Sequence, residues 1–339
     1  LSFISYSQIV IDGSVDLTNH DFRSNVASLN GTWKFKWIAF DERENEEVVS
    51  TVPGFWNDQR NGGFSSIGIG EYSIKVQLPE NSQSLALRVN DVHNSFAIWF
   101  NGVQVHSNGT PKRNEGSSQA DWSPVIIPLG HSERTVEIKF VVANYGHRNG
   151  GFASEILIGD YHTLLGNREF HLFIDLIVIG GLFLLGIFFL GLFLLWRKDN
   201  AVIHFVGYAI FFALWMSFRG EKPFFSLVPS IDWAVAIRME YASMIIAFSF
   251  FVVFVTRLFP KQSSKWVQNI CLGINGLSVV SIIALPTEIF TYLSLTNMVM
   301  MAALIVYVFV VFVRVFKAGE KDGKYAVGSL VMLMLVVVF

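Results

Sequence analysis

Two patterns of hydrophobic residues divide the chain. From Val10 to Ile158, apolar positions alternate with polar ones in short runs separated by Gly, Asn, Ser and Pro, and helical periodicity is absent. TWKFKWIAF (32–40), YSIKVQL (72–78), SLALRVN (84–90), SFAIWF (95–100), VQVHS (103–107), VIIPL (125–129) and TVEIKFVVAN (135–144) each have the length of one strand. Seven such runs with turn signals between them predict two packed sheets, a β-sandwich. Asn101-Gly102 sits between two of the runs, and both residues tolerate the positive φ that a type I′ hairpin turn requires.

The second pattern begins at HLFIDLIVIGGLFLLGIFFLGLFLLW (171–196), which carries one acid, Asp175, and no base. As a helix it is roughly 39 Å long at about 1.5 Å per residue, more than a hydrocarbon core of about 30 Å. It is therefore expected to cross a membrane. Further segments follow at about 201–218, 233–256, 267–285, 290–316 and 325–339. Their loops alternate in charge. Arg197, Lys198, Arg257, Lys261, Lys265, Arg314, Lys317, Lys321 and Lys324 lie on one side, against Arg219 and Lys222 on the other. By the positive-inside rule the sandwich is outside the cytoplasm. The expected organisation is an N-terminal segment 1–9 that is processed or cropped, a sandwich at 10–160, a linker at 161–170 and a helical membrane bundle at 171–339. Because Phe339 falls inside a hydrophobic run, a completed sixth helix and a seventh helix returning to the cytoplasm are expected beyond it.

Charge narrows the partners. Residues 1–168 hold 18 acids and 13 bases, and the remainder 9 acids and 12 bases. There is no basic tract to suggest a nucleic acid. The single cysteine, Cys271, lies in a hydrophobic segment, so the sandwich depends on its core rather than on disulfides. That suits a bacterial periplasm, where disulfides are permitted but not required.

The residues also carry a resemblance. LNGTWKF (29–35), TVPGFWN (51–57), GEYSIKVQLP (70–79) and LRVNDVHNSFAIWFNGVQV (87–105) resemble the jelly-roll, galactose-binding-like module that precedes many glycosidases. They are more similar to the outer domain of bacterial seven-transmembrane receptors with diverse intracellular signalling modules. VVANYGHRNGGF (141–152) favours this second family. The resemblance implies an all-β jelly-roll sandwich followed by an α-helical transmembrane bundle. It also implies a small-molecule or carbohydrate ligand and an effector such as a nucleotide cyclase, diguanylate cyclase, histidine kinase or phosphatase; a lipid bilayer and a second copy of the chain, as a homodimer, are the other expected partners. Alternatives are a transporter or channel bearing a sandwich, or a membrane-tethered carbohydrate-binding protein.

Aromatic planes stack on sugar rings, and Asn, Asp or Arg side chains bind hydroxyls. Trp56, Asn57, Asp58, Asn144, His147 and Arg148 are the candidates for such a site. Trp33, Trp37, Trp56 and Trp99 can equally be core aromatics, and His147-Arg148 a loop anchor. No catalytic residue, cofactor or metal site is expected. Asp41, Glu42, Glu44, Glu46 and Glu47 form a solvated acidic run rather than a facing carboxylate pair, and His93, His106, His131, His147 and His162 lack metal-ligand spacing. In the membrane half Asp175, Arg238 and Glu240 stand out, followed by His204 and Asn297, because a charge at mid-membrane costs about 2.5 to 3.5 kcal/mol on insertion scales unless paired or hydrated. Asp175 either snorkels at its helix end or meets a partner.

Overall fold

The computed structural model describes residues 3–5 and 9–318, except 24, 39–42, 59, 61, 81–83, 91, 93–94, 113–122, 131–133 and 197–199. The expected segment 325–339, with Arg197, Lys198, Lys321, Lys324, Asp41, Glu42, His93 and His131, lies outside the described residues. The chain forms two compact units: Leu1–Leu176 with Phe218–Ala236, and Ile177–Ser217 with Ile237–Phe339.

The first unit is built on short strands: β1 Phe3–Ser5, β2 Ser14–Asp16, β3 Asn25–Ser28, β4 Gly31–Trp37, β5 Glu47–Val52, β6 Gly54–Phe55, β7 Gly68–Gln77, β8 Leu85–Val89, β9 Ser95–Phe100, β10 Val103–Asn108, β11 Val125–Pro128, β12 Thr135–Asn144, β13 Gly151–Phe152 and β14 Ile156–Asp160. One sheet runs β1-β3-β14-β8-β11. The other runs β10-β9-β12-β7-β4-β5, with β2 parallel to the end of β7, and β6 pairs with β13 on its own. All seven expected runs are strands, with ends adjusted by a few residues. Asn101 and Gly102 turn β9 into β10 at φ 46° and 80°, the backbone the Asn-Gly pair favours. β1, β2, β3, β5, β6, β13 and β14 were not anticipated, because they are short or carry few alternating apolar residues.

Alternation sets the core. In β12, every second residue from Val136 to Val142 is buried, and they meet Trp33 and Phe35 of β4 and Tyr72 and Ile74 of β7 in one cluster. Trp33, Phe140 and Phe152 contact one another with ring centroids 5.1–6.3 Å apart. Aromatics of this size bury roughly 150–250 Å² each, enough to make a sandwich of this size stable without disulfides.

Residues 161–170 are not a separate linker. Helix α1, Tyr161–Trp196, starts directly after β14. Asp160 Oδ1 accepts the Thr163 N–H at 3.0 Å, which caps the first turn. Leu164 then packs fully buried against Val26, Ala86 and Leu157 of the β1-containing sheet. The first 16 residues of α1 belong to the first unit. The other 20 are about 30 Å long and match a hydrocarbon core. Their large apolar side chains, Ile177, Phe183, Leu184, Ile187 and Phe188 among them, face outward, as lipid contact demands.

The second unit contains that part of α1, α2 Asn200–Met216, the portion of α4 Trp233–Leu258 after Ala236, α5 Lys265–Ala284 and α6 Thr287–Lys317. A five-residue helix, α3 Pro223–Leu227, belongs to the first unit. α1, α4, α5 and α6 are long and apolar enough to cross a membrane, and α2 is a shorter apolar helix. Val252 and Val255 of α4 and Phe259 just after it meet Cys271 of α5 and Leu304, Val308 and Val311 of α6 in one apolar cluster. Two amide–hydroxyl bonds cross between helices: Asn275 Nδ2 donates to Ser249 Oγ at 2.9 Å, and Ser278 Oγ to Asn297 Oδ1 at 2.7 Å. Such bonds average about 0.6 kcal/mol each, so they orient the helices more than they hold them together.

Candidate functional site

The six residues expected to bind ligand do converge. β6 and β13 pair with Phe55 opposite Gly151, which draws loop 53–66 onto loop 144–152. The Trp56 N–H donates to Gly150 O at 2.9 Å. Asn57 closes the same seam from its side chain: Nδ2 donates to Arg148 O and Oδ1 accepts the Gly150 N–H, both at 3.1 Å.

Three of the six are buried scaffolding, which corrects the expectation for them. Trp56 is 0% exposed, its Nε1 donates to Ser65 O at 2.7 Å, and its ring stacks on Phe35 and meets Trp37 edge-on. It has no face left for a sugar ring. Asn144 is also buried. Its Nδ2 donates to Ser66 O at 2.8 Å and His147 O at 2.7 Å, while its Oδ1 accepts from the N–H groups of His147 and Gly146. His147 is buried too, and its Nδ1 accepts the Asn149 N–H at 3.2 Å. The sequence offers no means of separating an amide that organises a loop from one that binds a hydroxyl, since both need the same donors and acceptors.

The side chains with some exposure are Asn57, Asp58 and Arg148. Asp58 pairs with Arg60 at 3.1 Å, and that hydrogen bond holds its carboxyl below the usual carboxylate range. Nearby, Arg43 lies 3.7 Å above the Phe64 ring and donates to Gly62 O at 2.8 Å. Trp99 of β9 is partly exposed, while Trp33 and Trp37 are fully buried.

A charged cluster that sequence reasoning missed lies elsewhere in the first unit. Arg88 of β8 and Glu221, in the connection from α2 to α3, form an ion pair through Arg88 Nη2 and Glu221 Oε1, with side chains 8% and 5% exposed. Arg88 Nε donates to Asn90 Oδ1 at 2.7 Å. Arg168 of α1 approaches the other oxygen of Glu221 with its Nε at 3.4 Å. Asp175, two turns further along α1, accepts the Glu221 N–H at 3.1 Å. Burial pulls the Arg88 guanidinium below its ordinary range, and Glu221 opposes the shift. Gly220 lies against the Asp175 carboxylate at φ 58°, where a Cβ would collide with it. The one available signal was an arginine inside LALRV, a strand in which all five residues are buried.

Asp175 thus meets a partner: it belongs to the first unit and accepts a loop backbone N–H. Arg238 and Glu240, two residues apart on α4, have separate surroundings. Arg238 donates from Nε to Ile282 O at 3.1 Å and from Nη2 to Leu285 O at 3.2 Å, and its guanidinium lies 5.5 Å from the Phe290 ring centroid. A cation at the last carbonyls of α5 satisfies orphan acceptors and suits the helix dipole. Glu240 is buried. His204 is half-buried, with Nδ1 2.7 Å from Asn200 O on the preceding turn. Among the described residues no group of three His, Cys, Asp or Glu side chains is placed to hold a metal ion.

A β-sandwich followed by several membrane-capable helices defines a multi-span membrane protein with a folded N-terminal domain. Residues 171–339 match the family model described as "7TM diverse intracellular signalling". The chain belongs to this family of transmembrane sensory receptors, and its jelly-roll sandwich and helical half agree with the resemblance in the sequence. No curated protein matches. Among solved structures, a GH2 beta-galacturonidase from Eisenbergiella tayi bound to galacturonate is 16% identical at a TM-score of 0.32, over 40% of this chain and 24% of that one. A beta-glucuronidase from an uncultured Clostridium sp. is 17% identical at 0.32, over 40% of this chain and 28% of that one. A beta-glucuronidase from Ruminococcus gnavus, in complex with uronic isofagomine, is 14% identical at 0.31, over 40% and 28%. The chain thus spans about a quarter of the length of these enzymes, and their activities are not carried over to it.

Proposed function

We propose that this chain is the sensing and relaying part of a bacterial signal-transduction receptor, acting as a homodimer. The sandwich lies in the periplasm and binds a small polar ligand, a carbohydrate in the first instance. The helices lie in the inner membrane and pass the change to a cytoplasmic effector domain. The observation that carries this reading is α1. It is capped by Asp160, packs through Leu164 into the sandwich, and continues unbroken into an apolar stretch of membrane-spanning length. An uninterrupted helix transmits a displacement that a flexible linker would absorb.

The ligand surface has two parts. Asn57, Asp58 and Arg148 stand around the β6–β13 seam as hydrogen-bonding groups, while Trp56, Asn144 and His147 hold the seam's shape beneath them. A site of this kind needs polar groups that are oriented beforehand by others that bind nothing themselves.

The test uses the full chain in nanodiscs, whose mass also reports the copy number. A thermal-shift panel of neutral and acidic glycans is expected to raise the melting temperature. A ligand at about 100 times its Kd adds about 2.7 kcal/mol. Asn57→Ala and Arg148→Gln should weaken that shift. No shift with any glycan, together with a shift from another ligand class, overturns the carbohydrate assignment. Orientation is read by a membrane-impermeant maleimide on spheroplasts. Val103→Cys, at a position 66% exposed on β10, should label from outside; labelling only after lysis would place the sandwich in the cytoplasm.

A further inference from the structure

We infer that Glu221 is the switching group of the sensor unit: its carboxylate is shared between Arg88 of the sandwich and Arg168 of α1, and passes from the first to the second when the receptor changes state. This deepens the receptor reading above and rests on it. Glu221 follows Gly220 in the segment Phe218–Ala236, which packs with the sandwich and leads along the chain into α4. The segment is held from two sides. β8 holds it by one ion pair, Arg88 to Glu221 Oε1. α1 holds it by two contacts, the Asp175 carboxylate on the Glu221 N–H and Arg168 beside Oε2.

A buried ion pair of this type is a weak source of stability, because desolvation offsets most of the attraction and apolar residues of similar volume would serve as well. What the charges add here is an alternative for each partner. If the pair opens, Arg88 keeps its bond to Asn90 and the field of Glu155, and Glu221 keeps Arg168. Neither charge is stranded. Oε2 accepts no hydrogen bond from the described residues, and Arg168 is already 3.4 Å away with its side chain 35% exposed. Moving the carboxylate onto Arg168 would complete that bond.

The cluster is also placed to respond. β8 pairs with β14 from Ile156 to Asp160, and α1 begins at the next residue. A shift of β8 relative to the start of α1 therefore changes the Arg88-to-Glu221 distance directly, while Arg168 and Asp175 move with Glu221. Two discrete pairings biased by one strand meet the requirement for a two-state element.

The experiment uses the full chain in nanodiscs on a Cys271→Ala background, with spin labels at Val103→Cys and Leu227→Cys, positions 66% and 79% exposed in the first unit. Double electron–electron resonance reads the distance between them. The parent should show one dominant distance, with any second population at or below about 10%. Arg88→Met should make the second distance the majority. Arg168→Met should retain the parental distance alone, because the second partner is gone. Arg88→Met combined with Arg168→Met should give a broad distribution. If Arg88→Met does not fold, Glu221→Gln carries the test. It keeps the side chain's shape and should populate both distances. The parental distance alone in Arg88→Met or Glu221→Gln, or release of the segment by Arg168→Met alone, overturns the inference. The measurement needs no ligand, so a negative glycan screen leaves it standing. Unchanged distances in a ligand-bound receptor would sink the switch and not the sensor.

Discussion

Asn144 decides whether the β6–β13 seam is scaffolding or a ligand contact. Asn144→Ala removes two donors that serve the carbonyls of Ser66 and His147 at 2.8 and 2.7 Å, and the acceptor of the His147 N–H at 3.0 Å, at a position 1% exposed. Each buried group left without a partner costs about 1–3 kcal/mol. Allowing for water that enters the space left by the amide, the loop should lose about 3 kcal/mol. At about 1.4 kcal/mol per factor of ten, that is a roughly 100-fold increase in local opening. Asn144→Asp is the sharper variant. It preserves the shape and the acceptor, but sets a carboxylate oxygen against two carbonyl oxygens, so it should open the loop more than alanine does. Hydrogen exchange read by mass spectrometry on the full chain in nanodiscs would follow residues 144–152 and 64–70. Parental protection in the aspartate variant, or less opening in it than in the alanine variant, would refute this account of Asn144.

Four further outcomes follow from the same geometry. Trp56→Ala should destabilise the sandwich by about 3–5 kcal/mol, seen in chemical denaturation, while ligand affinity of the folded fraction stays within a factor of about two; a selective loss of affinity at parental stability would restore Trp56 as a stacking platform. Gly220→Ala forces a Cβ onto the Asp175 carboxylate at φ 58°, so the melting temperature should fall by an amount equivalent to about 1–2 kcal/mol, and Asp175→Ala in the same chain should recover part of it. Arg238→Gln should cost about 1.5–3 kcal/mol of charged hydrogen bonding and loosen the end of α5, read as faster exchange at residues 282–286; unchanged exchange there would remove the capping role. Burial holds the imidazole of His20 below its ordinary range. The unfolded chain then takes up the proton first, so His20's contribution is intact above about pH 6.5 and declines as the pH falls toward the folded value. His20→Gln should flatten that part of the stability profile, and an unchanged profile would dismiss it.

The extent to which this protein was legible in its sequence follows from the range of the forces involved. Alternation along VEIKFVV in β12 and the Asn101-Gly102 turn are local, and strands and hairpin stand where the pattern put them. Length and apolarity alone define a membrane span, so α1, α2, α4, α5 and α6 were readable too. The strands at Ser14–Asp16 and Asn25–Ser28 were not, since they are short and are paid for by partners far along the chain. Helix α1 begins ten residues earlier than its hydrophobic run, because a cap at Asp160 and one buried leucine at 164 propagate helix through polar sequence.

The site divides in the same way. The sequence by itself determined the class: a β-sandwich with no disulfide, joined to apolar helices. Only the tertiary structure decided what each polar group does. Burial turned Trp56 and Asn144 from ligand candidates into scaffold, and packing gave Asp175 its partner in the Glu221 N–H. It also joined Arg88 to Glu221 across 133 residues. A hydrogen bond or ion pair acts over about 3 Å, and which groups come that close is set by how distant segments pack, which no local pattern records.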